Sequence, residues 1–491
     1  MTSSRILTLA VATACSVALG GCVSKIEITN PNTPGLESAT NDPRAAASRL
    51  IGGVIATYRV NRAGSINSFG SYGRETYNMT TTDGRNITGP YRDWAQLNAF
   101  TAGSEWAGRY GNYRNIYETI KILEIPGGGI TPAEQAGGLG VLNTFLALEL
   151  LHVVEARGII GGPVDMTDDV NAAHPFVSQD SMYKWISAKL DEALASLGAA
   201  GGSFYFPMHT GFSAFGVAAA TPTGFAQFNR ALKARVEAKR GSLGCGAPCY
   251  TAALTALGAS FAANLTAANR DAGIYVVYST AAGDALNSSS FAQNTNLYVH
   301  PSIDGLPGVA QDDRYRRKVD TRETTATEND ACTGNYSNRT IVTVTGVNRP
   351  CTYATNVTAI PIIRNEELVL IRAEAKWFTG DQVGARADLA AVRAGSGATN
   401  GGTAAVLFAN PTTDTQLVDE LLLQRTLSLF QEGHRYVDYR RFGRLAALGT
   451  LAQDIAAGFT VAPYIVLPQG ECDSRARLGA PAERSCPGGP Q

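Results

Sequence analysis

Apolar residues recur at spacings of three and four through most of the chain beyond residue 100, and sustained strand-like alternation is scarce, so the pattern predicts a mostly α fold. Over 140–157, Leu142, Phe145, Leu146 and Leu150 line one helical face; over 181–197, Tyr183, Trp185, Ile186, Leu190 and Leu194 do the same. A helix over 221–240 opens with Thr221 as a cap and Pro222 at the first helical position, where a missing N–H costs nothing. It is expected to pair with a helix over 250–261. A second pair is predicted at 365–378, with Leu368, Ile371, Ala375 and Phe378 in register, and at 382–393, after the turn Thr379-Gly380-Asp381. Helix pairs on short turns suggest tetratricopeptide-like stacking, although no clean repeat period can be written.

Between these pairs lie inserts at about 61–100, 199–220 and 264–361, rich in Gly, Asn, Thr, Ser and aromatics. That composition suits ordered surface loops with a few short strands, where binding residues tend to sit.

The N-terminus has a different pattern. Arg5 precedes an apolar and small-residue run, 6–19, that closes in Leu19-Gly20-Gly21-Cys22. Such a run is too short to cross a bilayer core, which takes roughly 20 residues, and it reads as a signal peptide ending in a lipobox. Residues 1–21 are then the leader, Cys22 the lipidated mature terminus, 22–40 a tether and 41–491 one domain. Val23-Ser24-Lys25 carries no aspartate to favour inner-membrane retention, so the outer membrane is expected, and these residues leave open which leaflet carries the protein. No later apolar run reads as a second span, which leaves the lipid as the membrane contact.

Composition narrows the function. The 491 residues are 44% hydrophobic and 17% charged with a formal net charge of −1, and mean hydropathy is −0.05. A nucleic-acid partner would need a basic stripe, and none is present. With Cys15 in the leader and Cys22 lipidated, Cys245, Cys249, Cys332, Cys351, Cys472 and Cys486 remain. An even set in an exported chain reads as disulfides, most simply as the sequence-local pairs 245–249, 332–351 and 472–486, with other connectivities open. Zinc fits poorly, because Cys245 and Cys249 have three intervening residues and no second close pair or nearby His completes a tetrahedron. No metal or cofactor is expected.

Nucleophile elbows, HExxH, phosphate loops and dinucleotide fingerprints are absent. The densest charged string is Glu432, His434, Arg435, Asp438, Arg440 and Arg441. It could hold a general base at His434, or its arginines and carboxylates could clamp the C-terminal segment with His434 a spectator. Asp312-Asp313-Arg314 could be half of a glycosidase carboxylate pair, or a solvated turn or ion pair that orders the insert. No catalytic residue is assigned.

The order of segments resembles the SusD/RagB family. Asn30-Pro31-Asn32 follows the lipidated cysteine; 106–120 carries Tyr113, Ile116 and Tyr117; 145–164 ends in Gly161-Gly162-Pro163-Val164; and 178–197, 226–235 and 364–380 follow as further helices. The C-terminal stretch is most specific: Gln424-Arg425, then 432–441 with its Asp438-x-x-Arg441 spacing. The chain departs at Gln424 and Ser428, where the family has glutamates, and at Leu467-Pro468 with Glu471, where it has Ile-Pro before the final acid. These departures put local ion pairing in question.

The resemblance implies a non-catalytic outer-membrane lipoprotein that holds a glycan or other nutrient over a TonB-dependent barrel transporter. Sugars offer C–H faces to aromatic rings and hydroxyls to amides and charged groups. Two inserts qualify on that chemistry. One has Tyr77 and Asn78 with Tyr91, Arg92, Asp93 and Trp94, with Trp94 the first choice; the other has Tyr275, Tyr278, Asn287, Phe291 and Tyr298 with His300. Loop aromatics also pack loops onto scaffolds, and Trp106, Trp185 and Trp377 fall in helical stripes as core. A secreted glycan hydrolase and a transporter-associated scaffold without a small ligand are the alternatives.

Overall fold

The structure is a computed structural model that describes residues 39, 41–95, 105–169, 172–321, 332, 336–480 and 486. Cys22 and Asn30-Pro31-Asn32 lie outside the described residues. Helices α1 (Pro43–Tyr72), α3 (Ala107–Leu123), α4 (Pro132–Arg157), α5 (Gln179–Ala199), α6 (Pro222–Arg240), α7 (Ala247–Gly258), α10 (Asn365–Phe378) and α11 (Gln382–Val392) pack each on the next, with α2 (Arg85–Tyr91) outside this stack. Short helices α8 (Pro301–Asp304) and α9 (Asp313–Lys318) stand in the long insert between α7 and α10. The chain then adds α12 (Asp414–Ser428), α13 (Arg435–Arg441), α14 (Ala452–Ala456) and α15 (Gln469–Arg477).

Strands among the described residues are short and form four two-stranded antiparallel ribbons: β1 (Thr76–Asn78) with β3 (Leu297–Val299), β2 (Gly273–Val276) with β8 (Ile360–Arg364), β4 (Val319–Asp320) with β7 (Arg349–Pro350), and β5 (Arg339–Ile341) with β6 (Val344–Gly346). The ribbons fasten the inserts to the helical stack: β8 runs directly into α10, and β1 follows α1.

Helix α7 starts and ends three residues ahead of the expected 250–261, and two other helices depart further from the sequence pattern. Helix α4 begins at Pro132, behind a capping box between Thr131 and Glu134, and passes through Gly137, Gly138 and Gly140 without breaking. Those glycines read as loop because they weaken helix propensity, but a Cβ at Gly138 would sit 2.9 Å from Leu123 of α3, and one at Gly140 would sit 2.6 Å from Leu197 of α5. Close helix approach is what they provide. Helix α1 continues to Tyr72, so the first insert starts later than its composition predicts; Ile66, Phe69 and Tyr72 bury at helical spacing among the glycines and serines of 64–71. Segment Pro132–Ile160 is long and apolar enough to cross a membrane, a stretch missed in the sequence pattern, but 89% of its apolar window is buried among neighbouring helices. It is the central core helix.

Buried charge is unusually dense along this stack. Arg109 on α3 donates to Glu149 on α4 at 2.8 Å and to Glu105 at 2.9 Å, while Asn112 donates to the second oxygen of Glu149 at 2.6 Å. On α6, Lys239 pairs with Glu155 of α4, and Arg235 forks onto both oxygens of Glu367 on α10, each at 2.6 Å. Further along, Arg441 meets Glu374 of α10 and Asp438, and Arg425 of α12 donates to Asp438 at 2.6 Å. All of these groups are buried.

The three disulfides are Cys245–Cys249, Cys332–Cys351 and Cys472–Cys486, the sequence-local pairs. The first closes the turn between α6 and α7.

Removing one member of a buried pair leaves the other charge uncompensated in low dielectric. Glu367→Ala should therefore lower stability by roughly 3–5 kcal/mol in denaturant unfolding. Lys184→Ala, which breaks only the exposed Asp180–Lys184 pair, should leave the unfolding midpoint in place.

Candidate functional site

Ribbon β1–β3 sets Tyr77 opposite Tyr298, and the insert aromatics gather around it, but facing inward. Tyr91 is fully buried: its hydroxyl donates to the Thr76 carbonyl at 2.9 Å and its ring lies under the Arg74 guanidinium at 3.8 Å. Tyr298 is buried too and donates to the Ser337 carbonyl at 2.9 Å. His300 packs against the rings of Tyr77 and Tyr91; its Nε2 donates to Asp454 Oδ2 at 2.9 Å and its Nδ1 accepts from the Ser302 backbone N–H at 3.1 Å. Tyr77 donates to the other Asp454 oxygen. These rings close the insert onto the C-terminal segment and offer no face to a ligand.

The second set is similar. Tyr278 donates to the Arg59 carbonyl at 3.0 Å and is buried; Tyr275 is stacked on Phe215 at 4.1 Å; Asn287 is buried and spends its amide on the Thr358 carbonyl at 2.8 Å. Half-buried Phe291 carries the Arg349 guanidinium on its ring at 3.8 Å. The structure therefore assigns Tyr91, Tyr278 and Tyr298 to packing, for the physical reason that rings in a polar insert are its main source of buried apolar area.

Trp94 is placed differently. It is half-buried, sits edge-on to Tyr464 with ring centroids 5.8 Å apart, and donates its indole N–H to Thr460 Oγ1 at 3.1 Å. Arg92 beside it is exposed and pairs with Asp93 at 3.1 Å. Asn78 stands apart, half-buried and bonded to Asn86 and Thr80 at 3.2 and 2.8 Å. So of the six predicted contacts, Trp94 and Arg92 share an accessible surface. Tyr464 and Thr460 complete it, and neither carried a signal in the sequence, since Tyr464 lies in the apolar run 461–467.

The charged string 432–441 is a clamp. Glu432 receives Arg364 from β8 at 2.7 and 3.0 Å; Asp438 sits between Arg425 and Arg441; and Arg435 reaches the carbonyls of Gly73 and Arg74 behind α1. His434 lies 3.7 Å from Glu367 and, with Tyr58, Arg62, His152, Glu155 and Arg235, lines an enclosed cavity with room for about one water molecule. Burial, and after it the Arg235 charge, holds its pKa well below the usual histidine range. No saccharide can reach it.

Asp312, Asp313 and Arg314 are likewise buried. Arg314 forks onto Asp312 at 2.7 and 2.9 Å, then donates to Gln424 and Ser428 at 2.7 and 2.9 Å, so Asp312 supplies the charge that glutamates at those positions would supply. Glu471 accepts from the Trp106 indole at 3.2 Å and pairs with Arg475. Trp106 and Trp377 are buried as expected, and Trp185 is partly buried against the core. Among the described residues no group of His, Cys, Asp and Glu is arranged to hold a metal ion.

Residues 263–466 match the SusD family model, a span that contains β8, the 432–441 clamp and Trp94's partners Thr460 and Tyr464. Solved structures extend the likeness over nearly the full length. The chain has the SusD fold. A SusD/RagB family protein from Bacteroides thetaiotaomicron aligns with a TM-score of 0.62 at 14% identity, over 88% of this chain and 95% of that one. NanU of B. fragilis aligns at 0.57 and 14%, over 90% and 97%. A laminarin-binding SusD-like protein aligns at 0.60 and 15%, over 87% and 97%. No curated protein matches the chain by sequence.

Two buried groups near the SusD clamp give opposite pH dependences. Burial pushes the Glu75 carboxyl up to about 8, partly offset by Arg435 and reinforced by Glu432. The folded state then holds a proton that the unfolded chain releases near its ordinary value of about 4.5, so stability falls as pH rises from there toward 8. Burial lowers His300 to about 4, with Asp454 pulling the other way, so its neutral form is stable above the ordinary pKa of about 6.5 and stability is lost as pH falls from there toward 4. Glu75→Gln should raise the melting temperature at pH 8.5 and leave it unchanged at pH 4.5. A uniform shift at both pH values in scanning fluorimetry would refute this account.

Proposed function

We propose that this SusD-type chain is a lipid-anchored protein of the outer membrane that captures a glycan or related nutrient without cleaving it and hands it to a TonB-dependent barrel. The observation that supports this most is the fold itself, shared over about nine-tenths of the chain with proteins one of which binds laminarin, together with the family match through the C-terminal clamp. Fold alone does not assign chemistry, so the capture surface must be argued from side chains. The half-buried pair Trp94–Tyr464 offers ring area to a sugar face, and Thr460, Arg92 and Asp93 supply polar partners at its rim. The charged clusters that could have served hydrolysis are instead consumed by one another in the core.

Trp94→Ala should weaken oligosaccharide binding about ten-fold, the effect of losing roughly 1.4 kcal/mol of ring contact, with little change in melting temperature. Calorimetry with a panel of neutral oligosaccharides reads this, and turnover of any of them would replace capture by hydrolysis. Cys22→Ser should release the protein from the membrane fraction into the soluble one. Pull-down of the lipidated protein should recover a barrel transporter in equal amount; recovery of a barrel with no measurable nutrient binding would make it a scaffold.

A further inference from the structure

Away from the Trp94 surface, two arginines from distant parts of the chain converge on a single hydroxyl. Arg270, just ahead of β2, donates Nη1 to Thr399 Oγ1 at 3.3 Å and to the Gly395 carbonyl at 3.4 Å. Arg317, on α9, donates Nη1 to the same Thr399 oxygen at 3.5 Å and to the Ser396 carbonyl at 3.0 Å, and Nη2 to Ser396 Oγ at 3.3 Å. Both side chains are half-buried, so the two positive charges face each other with restricted access to screening water.

Most other buried arginines here meet a carboxylate. Arg270 has one on its Nε, Asp271 at 3.2 Å, which is itself largely exposed and shared with Arg364 at 3.3 Å. Arg317 has none within ion-pairing distance among the described residues. The nearby carboxylates are already committed: Asp313 takes the backbone N–H groups of Thr399 and Asn400 and, at 3.4 Å, the Thr399 hydroxyl, and pairs with Arg316, Glu366 pairs with Arg364, and Glu432 pairs with Arg364 as well. Lys318 points the other way, onto the carbonyls of Leu427 and Ser428. Burial, and next the charge of Arg270, lowers the Arg317 pKa from its ordinary value, the direction expected for a cation short of a counter-charge.

The loop that carries Ser396 and Thr399 leaves α11 through a five-residue wide turn, Arg393–Gly397, of the i→i+5 type that is rare in helices and frequent at functional positions. Gly395 in that turn lies against Thr266 and Leu265, where a Cβ would meet backbone at 3.3 Å, so the turn is pinned and the hydroxyls are held in place. The remaining N–H groups, Arg270 Nη2 and Arg317 Nε, have no partner among the described residues and belong to half-buried side chains.

We propose that Arg270, Arg317 and Thr399 form a receptor for an oxyanion, the carboxylate or sulfate group of an acidic saccharide or the equivalent free inorganic anion. The anion accepts N–H donors from both guanidinium planes and supplies the negative charge that Arg317 lacks, the geometry in which arginine outperforms lysine. This site stands independently of whether the Trp94 surface takes the nutrient.

Titration calorimetry of the purified mature protein at constant ionic strength, with sodium sulfate, glucuronate and glucose as probes, tests it. Sulfate and glucuronate should bind and glucose should give no signal at this site. Glucuronate binding assigns the site to an acidic saccharide, and sulfate binding alone assigns it to a free anion. Arg317→Gln should weaken anion binding at least ten-fold while holding or raising the melting temperature, because it relieves like-charge repulsion; Arg317→Lys should fall between. If Arg317→Gln does not fold, Arg270→Gln carries the same comparison. Absence of anion binding to the unmodified protein, or an unchanged Kd in the folded variants, would overturn the proposal.

Discussion

A guanidinium buried in the helix stack must meet a carboxylate or a set of carbonyls there, and this requirement decides which helices can be neighbours. Arg109 fixes α3 to α4, Lys239 fixes α6 to α4, Arg235 fixes α6 to α10, and Arg441 fixes α13 to α10. Each pair desolvates two charges, so the network adds little net stability over an apolar core of equal volume. It adds specificity, because any slip in the order of helices strands several charges at once. Arg157 shows the same logic with carbonyls: it donates to those of Ile465 and Val466, which draws the segment after α14 onto the central helix, and burial holds its pKa down to about 10. The C-terminal half of the chain is thereby fastened along the first half, and the Trp94 surface, built from residues 94, 460 and 464, can exist only because of that fastening.

The helices that present a clean apolar stripe were legible from sequence. Caps at Thr221 and Asp381 stand where the pattern puts them, α10 matches its predicted span, and α11 differs from its own by one residue at the end. What the pattern hides is helix made from residues with poor intrinsic propensity. At the front of α4, glycines admit the close approach of α3 and α5, and in α1 the buried Ile66, Phe69 and Tyr72 hold a glycine- and serine-rich stretch helical, so tertiary contact overrides local preference. Those reasons are invisible until the neighbouring helix is placed.

The candidate site was legible in kind more than in position. Trp94 reaches the surface, but the tyrosines chosen with it are core, since a polar insert that must fold has few other large apolar groups to bury. Tyr77, Tyr91, Tyr298 and His300 are consumed in one cluster with Asp454, a residue 154 positions from His300 that no local pattern connects to it. Aromatic content in a loop is thus ambiguous between recognising a ligand and holding the loop, and exposure decides between them. Likewise the string 432–441 looks like acid–base chemistry in one dimension; in three, each of its carboxylates is already claimed by arginine.

Net charge is a poor guide to local recognition for the same reason. A total of −1 is sufficient to argue against a phosphate-tracking stripe, yet it is an average over a chain whose charges are mostly paired internally. After those pairs are set aside, what remains to act on a partner is the residue of the matching, and that residue depends on single contacts. Asp312 next to Arg314 neutralises one arginine of α9, while Arg317, three positions on, faces Arg270 with no carboxylate within ion-pairing distance among the described residues. The two arginines stand nearly one turn apart on neighbouring positions of α9, so what separates them is the neighbour each meets: buried Arg314 finds Asp312, Gln424 and Ser428 and closes the fold, while half-buried Arg317 meets Arg270 and Thr399 and leaves a charge open for recognition.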